Sequence, residues 1–234
     1  MRSLLAIVLL AAFAAGCGSS SDSASTTTTT ETSGTTTTVP VSPTTMGLTV
    51  FPVSDGRLTV HRVRVPQTTA VARASLDALG ISAPVHIAEG TATVSLGNAS
   101  PGQIASIVYT LTQFPSVQRV DVGAQTGLTR DDVASFAPPI LVESPVAGAS
   151  VPATFTVSGT ASVFEATLVV ELTRDGKVLE HKTVTASEGA PGRGTFSVEL
   201  HAPAPGPATV AAYSPSAADG SRQHEQDVPV TLTP

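Results

Sequence analysis

The sequence predicts an α+β chain: a small mixed sheet with two helices, followed by an all-β immunoglobulin-like sandwich. Three observations carry that expectation. Two β-branched runs flank Asp55-Gly56, a strong hairpin signal. Ser100-Pro-Gly-Gln103 opens a helix whose apolar residues recur at i, i+3, i+4 and i+7. From residue 139 onward, seven β-like runs return every 8–14 residues or so, with turn chemistry between them.

Composition narrows the function classes. The chain has 234 residues, a formal net charge of −6 and 4% aromatics, with two Tyr and no Trp. So few aromatic faces argue against a stacking platform for sugars or single-stranded nucleic acid. The acidic balance argues against binding a phosphate backbone, so no nucleic-acid partner is expected. One Cys excludes an internal disulfide framework and a multi-Cys metal site.

The N-terminus reads as an export signal over residues 1–16. Arg2 supplies the positive start, and Leu4 to Phe13 is an apolar run. That run is too short for a bilayer that needs about 20 residues. It ends in Ala14-Ala15-Gly16-Cys17, which resembles the lipobox of bacterial lipoproteins. The resemblance implies diacylglycerol on the Cys17 sulfur and cleavage just before it. A plain secretory signal with a small-residue cleavage site fits the same run. With each buried CH₂ contributing about 0.8 kcal/mol, two or three acyl chains would hold firmly where one holds marginally. Loss of Arg2 would leave 11 basic against 18 acidic side chains, a net charge of −7. The expected location is therefore extracytoplasmic, anchored to the membrane.

Residues 17–46 are expected to be a disordered tether. Of the 28 residues from Gly18 to Thr45, 19 are Ser or Thr, too polar to build a core. A flexible coil of that length reaches roughly 30 Å.

The first folded unit is expected at 47–129. Leu48 to Val53 and Leu58 to Val65 form the opening hairpin. Thr68 or Thr69 caps a helix that runs to Leu79 and stops at Gly80, with Ala72, Leu76 and Leu79 on one stripe. Val85 to Ala88 and Ala92 to Leu96 are strands around a Glu89-Gly90 turn. In the second helix Ser100 is the N-cap, Pro101 takes the first position and Gln103 completes a capping box. Ile104, Ile107, Val108 and Leu111 form a one-sided face, Pro115 ends the helix, and Val117 to Val122 closes the sheet.

The stretch Ile107-Val-Tyr-Thr-Leu-Thr-Gln-Phe-Pro115, with Val117, Val120 to Gly123 and the Ala92 to Leu96 strand, resembles the GerM N-terminal-type (GerMN) family of sporulation and spore germination. The likeness covers roughly residues 48–125, with Gly80 to Pro84 shorter than the family's segment there. It implies a protein-interaction or ring-building-like module of envelope complexes, without established catalytic residues. Tyr109 and Phe114 are candidate contact residues, with packing at a helix end as the plainer reading.

Residues 130–138 read as a linker, in which Asp131-Asp132 caps a short helical turn and Pro138-Pro139 marks the boundary. The β-runs of 139–234 are Ile140 to Val142, Thr154 to Thr160, Ala166 to Thr173, Val178 to Thr185, Thr195 to Leu200, Ala208 to Tyr213 and Asp227 to Leu232. Alternation such as Phe155/Val157 and Val228/Val230/Leu232 suits a sandwich. The residues Ile140, Val142, Ser144-Pro145, Gly148, Val151, Phe155 to Ala161, Val163 to Thr167 and the Phe196 strand resemble the Gmad-type immunoglobulin-like domain of bacterial spore germination. That likeness implies a non-enzymatic interaction module. Glu165 is a third candidate contact residue, or a carboxylate that holds a neighbouring loop through backbone N–H groups.

No catalytic constellation emerges. His61, His86, His181, His201 and His224 make no H-x-x-x-H or H-E-x-x-H pattern. His224 and Glu225 with Asp219 and Asp227 read as a solvated sheet edge before they read as metal ligands. Gly192-Arg193-Gly194 does not lead into a helix, as a phosphate loop must. The expectation is a non-enzymatic envelope lipoprotein without cofactor or metal, whose partners are the membrane and other envelope proteins or cell-wall polymer. The alternatives are a small-ligand or cell-wall binder with a cleft between the domains and, behind it, a cell-wall hydrolase. A sporulation role would follow if the host forms spores.

Overall fold

The computed structural model describes residues 44–234. The signal segment, Cys17 and all but the end of the expected tether lie outside the described residues. That end, Thr45 and Met46, already belongs to a strand. The described residues form one compact unit. It has an α+β lobe and a β-sandwich lobe.

In the first lobe, β1 (Thr45–Val50), β2 (Val53–Ser54), β3 (Arg57–Leu58) and β4 (His61–Pro66) build a long hairpin. Asp55 and Gly56 turn it with φ of 51° and 75°, the left-handed pair a tight hairpin turn requires. β1 pairs with β4 and β2 with β3. The interruption falls at Phe51-Pro52, where proline cannot donate to a ladder. α1 (Val71–Ala78) follows. Neither Thr68 nor Thr69 caps it. The N-cap is Ala70, and the Thr68 hydroxyl accepts the Ala70 N–H one step too early. Gly80, at φ 75°, closes the helix as expected, donating to the Asp77 carbonyl.

β5 (Val85–Ala88) and β6 (Thr91–Val94) precede α2 (Pro101–Leu111), with β7 (Arg119–Val122) and β8 (Gln125–Leu128) after it. These strands form a mixed sheet β5-β6-β7-β8, parallel only between β6 and β7. The lobe therefore carries the two-stranded ladders β1-β4 and β2-β3 and a separate four-stranded sheet where one sheet was expected, and β8 is additional. The capping box on α2 forms as the sequence indicates: Ser100 Oγ accepts from Gln103 N at 3.3 Å, and Gln103 Oε1 from Ser100 N at 3.0 Å.

α2 departs from its one-sided design. Every residue from Ile104 to Leu111 is buried, because the helix packs against α1, β1, β2 and β7 at once. Its polar positions are used inward. The Thr110 hydroxyl accepts the Phe51 N–H (3.0 Å) and the Ser106 hydroxyl accepts the Val53 N–H (3.1 Å). Gln113 donates to the Thr49 and Thr110 carbonyls. The helix ends at Leu111, ahead of Pro115.

The sandwich comprises β9 (Ile140–Ser144), β10 (Ala149–Val151), β11 (Thr154–Ala161), β12 (Thr167–Arg174), β13 (Lys177–Thr185), β14 (Gly194–His201), β15 (Gly206–Pro215) and β16 (Arg222–Leu232). Its sheets run β10-β16-β15-β12-β13 and β14-β11-β9. All seven expected runs form strands, except that Ala166 at the head of the third ends a 3₁₀ turn, Phe164–Ala166, and β10 is additional. The core is aliphatic with Phe155 and Phe196.

Residues 130–138 are not a spacer. They form a 3₁₀ turn, Asp131–Phe136, whose Val133 is buried in the first lobe's core together with Ala137. β9 then serves both lobes. Ile140 and Val142 enter the sandwich core, while Leu141 between them enters the α+β core. Strand alternation makes this possible, since successive side chains point to opposite faces. Among the described residues, no helix is long and apolar enough to cross a membrane.

Candidate interaction site

Two arginines hold the lobes together. Arg130 donates to Thr112 Oγ1 (2.9 Å) and to Glu143 on β9 (2.8 Å), and its guanidinium lies 4.6 Å from the Tyr109 ring centroid and 5.6 Å from that of Phe51. A guanidinium over aromatic faces gains from their quadrupoles. Arg193 donates to the Pro138 carbonyl (2.7 Å) and to Thr160 Oγ1 (3.2 Å), so its loop clamps the connection between the lobes. Burial pushes the acidity of Arg193 toward lower pKa, opposed by the nearby Tyr109 and Glu143. Burial likewise pushes the Tyr109 hydroxyl above its ordinary value, opposed by the two arginines. Among the described residues, the Tyr109 hydroxyl and Arg193 Nε have no hydrogen-bond partner.

Beside this junction lies a cavity of about 540 Å³. Three chain segments shape it: 57–60, 138–147 and 224–228. Its walls include Leu58, Val60, Ile140, Val142 and Val228, and its charged members are Arg57, Glu225 and Asp227. Arg57 donates to the Ala137 carbonyl at 3.4 Å. The Gln226 amide oxygen accepts the Val142 N–H (2.8 Å), joining β16 to β9 at the cavity. Burial foremost, then the charge of Glu225, raises the Asp227 carboxyl above the usual range, with Arg222 opposing. Apolar walls, a few charged groups and a rigid frame suit binding.

The candidate contact residues fall elsewhere. Tyr109 is fully buried, tilted against Phe51 with ring centroids 5.8 Å apart. No partner reaches it without opening the lobe, so it is a core residue. Phe114 is half-buried beside a separate cavity of about 440 Å³ with residues 69–73 and 85–87. Glu165 is exposed, at φ 53°, and its backbone carbonyl accepts from Thr167 Oγ1. Its neighbour Phe164 is the more prominent group at 73% exposure. The loop holding it is closely packed. Ala166 follows Glu165 in the left-handed region, and a Cβ on Gly189 would meet Ala166 N at 2.8 Å. Sequence periodicity could not reveal Arg130, Arg193 or the three-segment cavity. The one local hint was Arg193 itself, a lone cation in a Pro/Gly loop.

Among the described residues, no group of three or more His, Cys, Asp or Glu could hold a metal. Asp219 accepts from Ser221, and Glu225 pairs with Arg222 at 2.7 Å. Arg222 also pairs with Glu171 and lies 4.2 Å from the Tyr213 ring centroid.

The fold and its cavity define a two-lobed protein whose second lobe is immunoglobulin-like. More particularly, residues 139–221 match the family model described as the immunoglobulin-like domain of bacterial spore germination (Gmad2). No curated protein matches the chain. Among solved structures, CopC from Methylosinus trichosporium OB3b is 19% identical over 40% of this chain and 92% of its own, with a TM-score of 0.29. Fibronectin(III)-like modules of CbhA from Clostridium thermocellum are 22% identical over 40% and 93%, with a TM-score of 0.28. An engineered protein is 17% identical over 70% and 43%, with a TM-score of 0.30.

Proposed function

We propose that the protein is an extracytoplasmic lipoprotein, held to the membrane through Cys17, that acts as a non-enzymatic interaction module of the cell envelope. In this reading residues 1–16 are a signal, the Ser/Thr-rich stretch is a tether, and the α+β lobe is a GerMN-type module. A spore-related role applies if the host forms spores. The observation that carries the reading is the apolar cavity between two lobes that Arg130, Arg193 and β9 lock together. The immunoglobulin-like family match supports it. The occupant is a segment of an envelope partner, and the anchor raises its effective concentration. A second reading, a small-ligand or cell-wall binder, draws on the cavity's volume, which falls within the roughly 300–1,000 Å³ of small-molecule sites.

The two parts of the reading separate experimentally. On phase partition the full chain enters detergent and Cys17→Ala does not. A Cys17→Ala form that stays in detergent overturns the anchor. Val60→Trp fills the cavity from a half-buried position. It should weaken capture of envelope proteins, or binding to purified cell wall competed by soluble fragments, by about tenfold or more, the scale of losing a central contact. Unchanged binding by a folded Val60→Trp overturns the cavity as the contact site.

A further inference from the structure

β4 carries Arg62 and Arg64 two residues apart, so both lie on one face of the β1–β4 hairpin. Across the register they face Thr49 and Gly47. Gly47 is not an idle small residue. A Cβ there would lie 2.6 Å from Arg62 Nε and 2.9 Å from Nη2. The Arg62 guanidinium thus lies in the space that the absent side chain leaves, next to the position opposite Arg64. Gly47, the two arginines and Ala147 to Ser150 line a cavity of about 460 Å³.

Among the described residues, nothing that lines the cavity answers its charge. Among the described residues, no carboxylate lies within 4.0 Å of either arginine. Arg73, Arg130 and Arg222 each meet a carboxylate, and Arg174 and Arg193 donate to backbone carbonyls. The facing segment, which runs into β10, offers two alanines, a glycine and the Ser150 hydroxyl, with no acid. Both arginines are exposed, and two like charges at one concavity raise the local positive potential on a chain whose net charge is −6.

We propose that this cavity binds a phosphoryl group through the Arg62 and Arg64 guanidiniums, with the Ser150 hydroxyl as a further donor. Guanidinium forks match phosphate oxygens in pairs, and two of them match its double charge. The volume leaves room for an organic substituent on the phosphate. The group could come from a free phosphate or from an anionic phospholipid headgroup. The headgroup source rests on the anchored reading above, since the cavity lies within a few residues of the segment proposed as tether. The phosphate itself does not.

The test uses the full chain, ¹⁵N-labelled at arginine, in neutral detergent micelles. One arm titrates inorganic phosphate against chloride at matched ionic strength. The other dopes phosphatidylglycerol, or phosphatidylcholine as control, into the micelles. The expected result is a saturable shift of the Arg62 and Arg64 Nε–Hε resonances in at least one arm. The Arg64 shift should need at least about tenfold more ligand in Arg62→Gln, and the Arg62 shift likewise in Arg64→Gln. Both shifts should need about tenfold more ligand in Gly47→Ala, which displaces Arg62 without removing a charge. A response to inorganic phosphate supports a free phosphate, and a response to phosphatidylglycerol alone supports the headgroup. No saturable shift in either arm, or the same affinity in a folded Gly47→Ala, overturns the site. Failure of the Cys17 partition experiment leaves the phosphate arm intact.

Discussion

In the α+β lobe the main chain between β1 and β2 finds its hydrogen-bond partners on a helix. In the sandwich it finds them on neighbouring strands. Phe51 and Val53 donate to the hydroxyls of Thr110 and Ser106, side chains more than 50 positions away. β11, by contrast, pairs residue for residue with β14 from Thr154↔His201 to Ala161↔Gly194. Both lobes bury their backbone groups with partners, as any folded chain must. One does it with individual side chains, the other with repeated geometry. The difference teaches where each lobe is vulnerable: the first at single hydroxyls, the second across whole ladders.

The strongest way to break the contrast is through the strand that belongs to both lobes. Leu141→Ala removes a fully buried side chain from the α+β core while leaving Ile140 and Val142 in the sandwich. We expect a loss of about 2–5 kcal/mol, with one transition in urea by circular dichroism. Two resolved transitions, with the sandwich melting at its original midpoint, would show that the lobes are energetically independent.

Next in size, Thr110→Val leaves the buried Phe51 N–H without an acceptor, at a cost of about 1–3 kcal/mol. The same exchange at exposed Thr156 on β11 should change stability by less than about 0.5 kcal/mol. Equal effects at the two positions would remove the distinction between hydroxyl-stitched and ladder-stitched backbone.

The smallest effect is a pH slope. The Asp227 carboxyl has its pKa raised in the folded chain, so the native state holds that proton more tightly than the unfolded one. Its stabilising contribution is present below the ordinary carboxylate range and is lost as pH rises through the raised value. Asp227→Asn should therefore flatten stability between acid and neutral pH, with the variant gaining relative to wild type at neutrality. The 3₁₀ turn gives the opposite sign. Hydrogen bonds from the Thr129 N–H and hydroxyl hold Asp132 below the usual range, so its contribution is present at neutral pH and lost as pH falls through the lowered value. Unfolding midpoints at several pH values for Asp227→Asn and Asp132→Asn would separate the two slopes. Parallel slopes for both variants would contradict this assignment.

Local chemistry made much of the fold readable. The Asp55-Gly56 turn, the Ser100/Gln103 capping box and the alternation of Val228, Val230 and Leu232 each act within a few residues, and each stands where the sequence puts it. β8 and β10 were not readable, being four and three residues long and too short to show a period. The all-round burial of α2 was hidden because Ser106 and Thr110 look solvent-facing until β1 and β2 arrive to use them. The candidate site was less legible still. Its walls come from three distant segments, and Tyr109 and Glu165 stood out by residue type, which says nothing about whether a ring is enclosed or a neighbour such as Phe164 is the one presented.

β9 has one more implication, for mechanics. A strand whose odd and even side chains lie in different cores leaves no joint at which one half can swing while the other stays. Turning one lobe against the other would pull Leu141 out of one core or Ile140 and Val142 out of the other.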